Sequence, residues 1–276
     1  MADTRNPFRL QSTESIDSNA TFLRLFGPGM LDLLPPDDLW DKPRIIRSAP
    51  GGGKTTLLRL LTPASLNALY LLRKQDDVRE LWERLVRFGV VGEIGPSLLG
   101  VYLAFNKSYA NLDEEDDAIS TRDRLLFGLL NARIIIAALR AALELRQLEF
   151  PDNLDLISIE RASTASLPSQ LPLKGGALYE WAVSKEETIC DAIDAFTESS
   201  ESILLGDAAL FAHVLLSPGV LLVDGKPVSA RSVLLLDDLQ YLTKRQRSLL
   251  VQTYANGRSG IPIWLAERLS TRSPIP

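Results

Sequence analysis

The residues able to do chemistry gather in two short stretches lying far apart along a 276-residue chain. The first is Ser48-Ala49-Pro50-Gly51-Gly52-Gly53-Lys54-Thr55-Thr56. A β-branched run, Arg44 to Arg47, leads into it, and an apolar run from Leu57 leaves it. Strand, glycine turn, helix is the order that a phosphate-binding loop requires. Glycines let successive backbone N–H groups turn inward with no Cβ in the way, at the positive end of a helix. Lys54 is then placed to reach the β- and γ-phosphates of a nucleotide, and the Thr55 hydroxyl to join the shell of a phosphate-bound Mg²⁺. One position departs from the G-x-x-x-x-G-K-[ST] pattern: Ser48 stands where the first glycine falls. A serine fits there if its φ stays negative, with Gly51 and Gly52 supplying freedom nearby.

The second stretch is Ser232-Val233-Leu234-Leu235-Leu236-Asp237-Asp238. Its apolar residues predict a strand buried on both faces, and its two carboxylates stand at the C-terminal end, the edge of a parallel sheet where ligands bind. Asp237 is the expected Mg²⁺ carboxylate, partnering Thr55. Asp238 is the expected group that orients, or takes a proton from, water attacking the γ-phosphate. Alone, an apolar run ending in Asp-Asp says little; downstream of a phosphate loop it gains meaning. A third piece, Ile261 to Ala266, predicts another strand ending in Glu267-Arg268.

The elements that must hold these groups can be read in outline. Before the loop, residues 1–42 form a lead-in with short helical pieces at Thr21–Phe26 and Met30–Leu34; Asn6, Phe8 and Met30 are candidates to cover a nucleobase. After it, helices are expected from Lys54 to about Pro63, over Ala64–Leu72 and over Asp76–Phe88, the last from Val78, Leu81, Trp82, Leu85 and Val86 at helical spacing. Leu98 to Phe105 predicts a doubly buried strand. An acidic run, Asp113 to Asp117, precedes a helix expected over Thr121–Leu148, where acidic side chains suit a helix N-terminus. Residues 151–230 are harder to read: a weak strand at Leu154–Ile159, a helix at Glu187–Phe196 and a hairpin at Val220–Val228 turning on Asp224-Gly225. Thr243–Tyr254 predicts a helix with Leu249, Leu250 and Val251 inward and a solvated basic face of Lys244, Arg245 and Arg247.

Composition bounds the rest. Hydrophobic residues are 46% and charged residues 24%, ordinary for a globular chain. The single cysteine, Cys190, excludes an internal disulfide framework and fits a reducing, cytoplasmic setting. The one histidine, His213, lies among apolar residues and reads as core; no His or Cys pair offers a zinc site. The most apolar stretch, Leu125–Leu145, is broken by Asn131, Arg133, Arg140 and Glu144, so a buried helix is expected rather than a membrane span. Basic and acidic side chains number 10 and 8 in residues 1–76, 13 and 24 in 77–230, and 7 and 3 in 231–276. That is no basic footprint of a dedicated DNA-binding domain; nucleic acid as a partner would need a local patch or parts outside this chain.

Taken together, Ser48–Thr56, the strand 98–105, Val233–Asp238 and the sensor-type strand 261–268 resemble the AAA+ and STAND ATPases, in particular an origin-recognition-initiator-like bacterial branch. No guanine-reading motif or transporter-type signature accompanies the loop. The resemblance implies a three-layer αβα P-loop sandwich with a mostly parallel sheet over residues 43–276. It also implies a long, largely helical insertion at about 107–230, and ATP with Mg²⁺ as cofactors. Within it, Ser48, Ala49, Pro50, Gly51, Gly52, Gly53, Lys54, Thr55 and Thr56 hold the nucleotide. Thr55 and Asp237 hold the metal, and Lys54, Asp238, Glu267 and Arg268 act at the γ-phosphate. Three positions depart from the family: Ser48 for Gly, Asp238 where initiators carry Glu, and Glu267-Arg268 where a sensor Asn or Thr is usual. The family continues past its sensor strand into a fifth strand, an arginine finger and a helical lid. The sequence stops at Pro276, so a fragment with reduced ATP affinity is expected, assembling as a homo-oligomer or with partner proteins through other parts. The expected activity is an ATPase that serves as a conformational motor or switch, in DNA-linked processing or defence signalling. Its rivals are a nucleotide-gated scaffold with little hydrolysis and a small-molecule kinase.

Overall fold

The computed structural model describes residues 18–34, 39–112, 119–160, 167–194, 206–256 and 260–269. Asn6, Phe8, the acidic run 113–117 and the C-terminal residues 270–276 lie outside them. Helix α1 (Asn19–Leu25) and a 3₁₀ turn (Pro28–Leu33) precede β1 (Arg44–Ser48), and α2 (Lys54–Leu60) begins directly after the glycine loop. Helices α3 (Pro63–Leu72) and α4 (Asp76–Arg87) follow, then a small hairpin of β2 (Val91–Gly92) and β3 (Gly95–Pro96), and β4 (Leu98–Ala104).

A short α5 (Ser108–Asn111) leads to α6 (Ile119–Leu145), β5 (Ile157–Ile159) and α7 (Gly175–Asp194). The strands β6 (Leu221–Val223) and β7 (Lys226–Pro227) form the expected hairpin, with Asp224 at φ 52° and Gly225 at φ 69°, the pair of left-handed residues a type I′ turn demands. The chain closes with β8 (Arg231–Asp237), α8 (Lys244–Asn256) and β9 (Ile263–Arg268).

Four strands form one all-parallel sheet in the order β1-β9-β8-β4. Helices cover both faces, and strand alternation divides the core accordingly. Val233 and Leu235 of β8, with Trp264 and Ala266 of β9, join Leu57, Leu58, Leu60 and the buried residues of α1, α3 and α4 in one cluster. Leu234, Leu236, Ile263 and Leu265 face the other way, into a second cluster built on α6, α7 and α8. The fold class is therefore α/β, as expected. At Gly100 of β4 a Cβ would sit 2.0 Å from the Leu61 carbonyl oxygen, so glycine lets the end of α2 press directly onto the sheet.

The region expected as an insertion divides on inspection. Helix α6 lies directly on β4 as part of the layer covering one face, and its Leu125, Leu129, Ile134 and Leu139 belong to the same cluster as β8. Its one buried polar side chain with fixed partners, Asn131, donates to the Ala209 carbonyl (3.0 Å) and accepts from the Phe211 and Ala212 amides (2.9 Å each). That fastens the approach to β6 onto the helix. Thr121–Leu145 has the length and mean hydropathy of a membrane span, 1.7, but 72% of that window is buried inside the molecule. Helix α8 starts with a capping box: Thr243 Oγ1 accepts from the Gln246 amide, and the Gln246 side-chain oxygen accepts from the Thr243 amide.

Candidate functional site at one edge of the sheet

Strand register brings the two chemical stretches to one edge. Ser48 pairs with Arg268, Leu236 with Leu265, and Ala104 with Asp237, so all four strands end together. β9 lies between β1 and β8, which puts the loop-bearing and carboxylate-bearing strands two sheet spacings apart, roughly 10 Å. Faces matter as much as edges. Asp237 continues the alternation of Val233 and Leu235, and so points to the face covered by α2, the helix that carries Lys54 and Thr55.

The loop owes its shape to left-handed glycines. Gly51 has φ 74° and Gly53, the residue before α2, φ 80°. Beside Gly52, a Cβ would meet the Ser48 hydroxyl at 2.4 Å, so the serine side chain folds over the loop. Lys54 Nζ donates to Ser48 Oγ (3.0 Å) and to the Ser48 and Ala49 carbonyls (3.2 and 3.4 Å). The ammonium is thus folded back onto its own loop. The amides of the first helical turn lack helical acceptors, since α2's first helical bond from outside runs from Leu57 N–H to Gly53. A cavity of about 270 Å³ opens beside the loop, lined among others by Met30, Leu34, Arg44, Ile46, Gly53 and Leu57. Of the three nucleobase candidates, Met30 reaches this place: its Cε lies where a Cβ on Gly53 would be, at 2.2 Å.

Asp237 is fully buried. Its Oδ1 accepts from the Asp238 amide at 2.8 Å and its Oδ2 from the Tyr102 hydroxyl at 3.0 Å. Both donors are neutral, and no Lys, Arg or His pairs with Asp237 among the described residues. Each oxygen of this buried carboxyl group keeps a lone pair that a cation could use. Asp238 turns the chain out of the strand with φ 60°, ψ 37°, and its Oδ1 accepts from Gln240 Nε2 at 2.5 Å. Gln240 also accepts, through Oε1, from the Arg268 amide at 3.2 Å. One side chain therefore ties the β8 tip to the β9 tip.

Glu267 stands apart from this cluster. It alternates with Ile263 and Leu265, toward the α8 face, and its carboxylate is held by Arg47 of β1 and by Arg247 of α8, the latter at 3.5 Å. Arg268 alternates with Trp264 and Ala266, toward the α2 face with Asp237. The expected solvated basic face of α8 is only partly so: Arg245 pairs with Asp123 and Arg247 with Glu267, which leaves Lys244 exposed. His213 is half-buried against Tyr254, ring to ring at 5.7 Å, and its burial lowers its pKa. Among the described residues no group of His, Cys, Asp or Glu forms a ready-made metal cage, so a cation here would draw most of its ligands from phosphate and water.

Tyr102 and Gln240 were not singled out in the sequence. Tyr102 had one signal, a hydroxyl in an otherwise apolar strand, on the same parity as the carboxylate-bearing face. Gln240 had none, because its partners are set by the turn at Asp238. No protein-family model matches the chain, and neither does a curated protein or a solved structure.

Proposed function

We propose that the chain is the core of an ATP-binding, Mg²⁺-dependent ATPase of AAA+/STAND type, working as a conformational motor or switch. One observation carries the reading. A glycine loop with its lysine, and a fully buried carboxylate with no cationic partner among the described residues, share one edge and one face of a parallel sheet. The sheet order supports it as well, since the resemblance calls for a strand between the loop strand and the acidic strand. In this reading Gly51 to Thr56 cradle the phosphates, Lys54 leaves Ser48 for the β- and γ-phosphates, and Thr55 with Asp237 holds Mg²⁺. The metal would neutralise phosphate charge. Asp238, oriented by Gln240, would position the attacking water, and Arg268 would approach the γ-phosphate from the β9 tip.

The decisive experiment is ATP binding by Lys54→Ala. A lysine contacting two phosphates contributes on the order of 2–3 kcal/mol, so the dissociation constant should rise about 30- to 150-fold with an unchanged melting temperature. Unaltered affinity would remove the nucleotide site from this loop. A nucleotide-gated scaffold with little turnover is the second reading, favoured by Glu267, which two arginines hold on the face away from Asp237. Tight ATP binding without measurable phosphate release would select it.

A further inference from the structure

We infer that Tyr102 is a positioning residue for the metal: its hydroxyl fixes Asp237 so that the remaining oxygen lone pairs face the divalent cation. The inference rests on the nucleotide reading above and adds a residue that reading does not contain. Tyr102 lies on β4, two residues before the Ala104–Asp237 rung, so the two side chains are diagonal neighbours on the α2 face. Its ring packs against the core cluster of that face, which holds the hydroxyl in place 3.0 Å from Oδ2.

The geometry makes the hydroxyl more than a filler. A carboxylate offers about four lone-pair positions. The Asp238 amide takes one on Oδ1 and Tyr102 takes one on Oδ2. The carboxyl plane is therefore pinned at both oxygens by donors that bring no charge, with one lone pair on each still available. Rotation that would turn those lone pairs away from the sheet edge breaks one of the two bonds. Donors behind a metal-ligating carboxylate set its orientation, and their loss typically costs about 10- to 100-fold in metal affinity.

Replacing Tyr102 by Phe keeps the ring and removes the hydroxyl. The measurement is ATP affinity by titration calorimetry in excess MgCl₂ and in excess EDTA, whose ratio gives the Mg²⁺-dependent gain. For Tyr102→Phe that gain should shrink by about tenfold or more, with the EDTA value within about twofold of wild type. In an Asp237→Asn background the same change should take nothing further from the gain, because the group it orients is altered. A full Mg²⁺ gain in Tyr102→Phe, or equal losses in MgCl₂ and EDTA, would overturn the inference while leaving the nucleotide site standing. Wild-type protein that binds ATP with no Mg²⁺ gain would overturn it through Asp237. Wild-type protein that binds no ATP under either condition would overturn the nucleotide reading itself, and this with it.

Discussion

Lys54 and Ser48 hold each other, and under the proposed function that contact sets part of the cost of binding. The ammonium rests on Ser48 Oγ at 3.0 Å and on two loop carbonyls, and all three contacts would have to open for it to reach a phosphate. The hydroxyl is the part of this arrangement that a glycine would not supply. Removing it in Ser48→Ala, at a partly solvated contact worth about 1 kcal/mol, should tighten ATP binding about two- to tenfold, read by the same titration. Weaker binding would instead make the hydroxyl a phosphate ligand. This scale was the most legible in the sequence: glycine, lysine and threonine in that order carry their conformational demands with them, and Gly51 and Gly53 do take positive φ. Tyr102 was barely legible, for the opposite reason. Its importance is a relation to Asp237, 135 positions away, and nothing in the residue itself announces a partner at that distance.

Among the elements, the tips of β8 and β9 act as one piece because Gln240 bridges them. Its amide nitrogen holds Asp238 and its oxygen holds the Arg268 amide, so a shift of one tip would be passed to the other. Gln240→Ala should lower the rate of ATP hydrolysis by roughly tenfold, a part of the about 10²- to 10⁴-fold that a positioned general base contributes, while leaving ATP affinity nearly as it was. Equal hydrolysis by wild type and variant would refute the bridge. The large elements could be anticipated because each states its period: α4 has its apolar stripe, β4 and β8 their continuous apolar runs. The two-residue strands β2 and β3 escaped, being too short to show alternation. Helix α7 was recognised only in its second half, since it opens on Gly175-Gly176, residues that usually end helices. The span 107–230 reads as an insertion because none of the stretches that carry the resemblance falls in it; yet α6 packs on β4, so part of that span is a structural layer.

For the whole molecule, two cores on opposite faces of one sheet make stability depend on both. The chain's single histidine packs on the second core through Tyr254, and burial lowers its pKa. Its unfolded value is near 6.5, so below that pH the unfolded chain takes up a proton that the folded one resists. Stability should be fully present above about pH 6.5 and decline as pH falls toward the lowered folded value. Glu144 on α6 acts in the reverse sense at lower pH, because burial raises its pKa and favours proton uptake by the folded form. Denaturant titrations from pH 7.5 to 5.5 check this: His213→Gln should flatten the slope, and an unchanged slope would assign it elsewhere.

The sheet order carries a last consequence, one of timing. β1 has a single neighbour, β9, among the described residues, and their paired side chains Arg47 and Glu267 are 220 positions apart. A ribosome adding about 5–20 residues per second needs roughly 10 to 45 seconds to travel that distance. Throughout that interval the glycine loop follows a strand that lacks the neighbour it has among the described residues. The sheet edge that carries both chemical stretches is therefore assembled last, when β9 enters between β1 and β8.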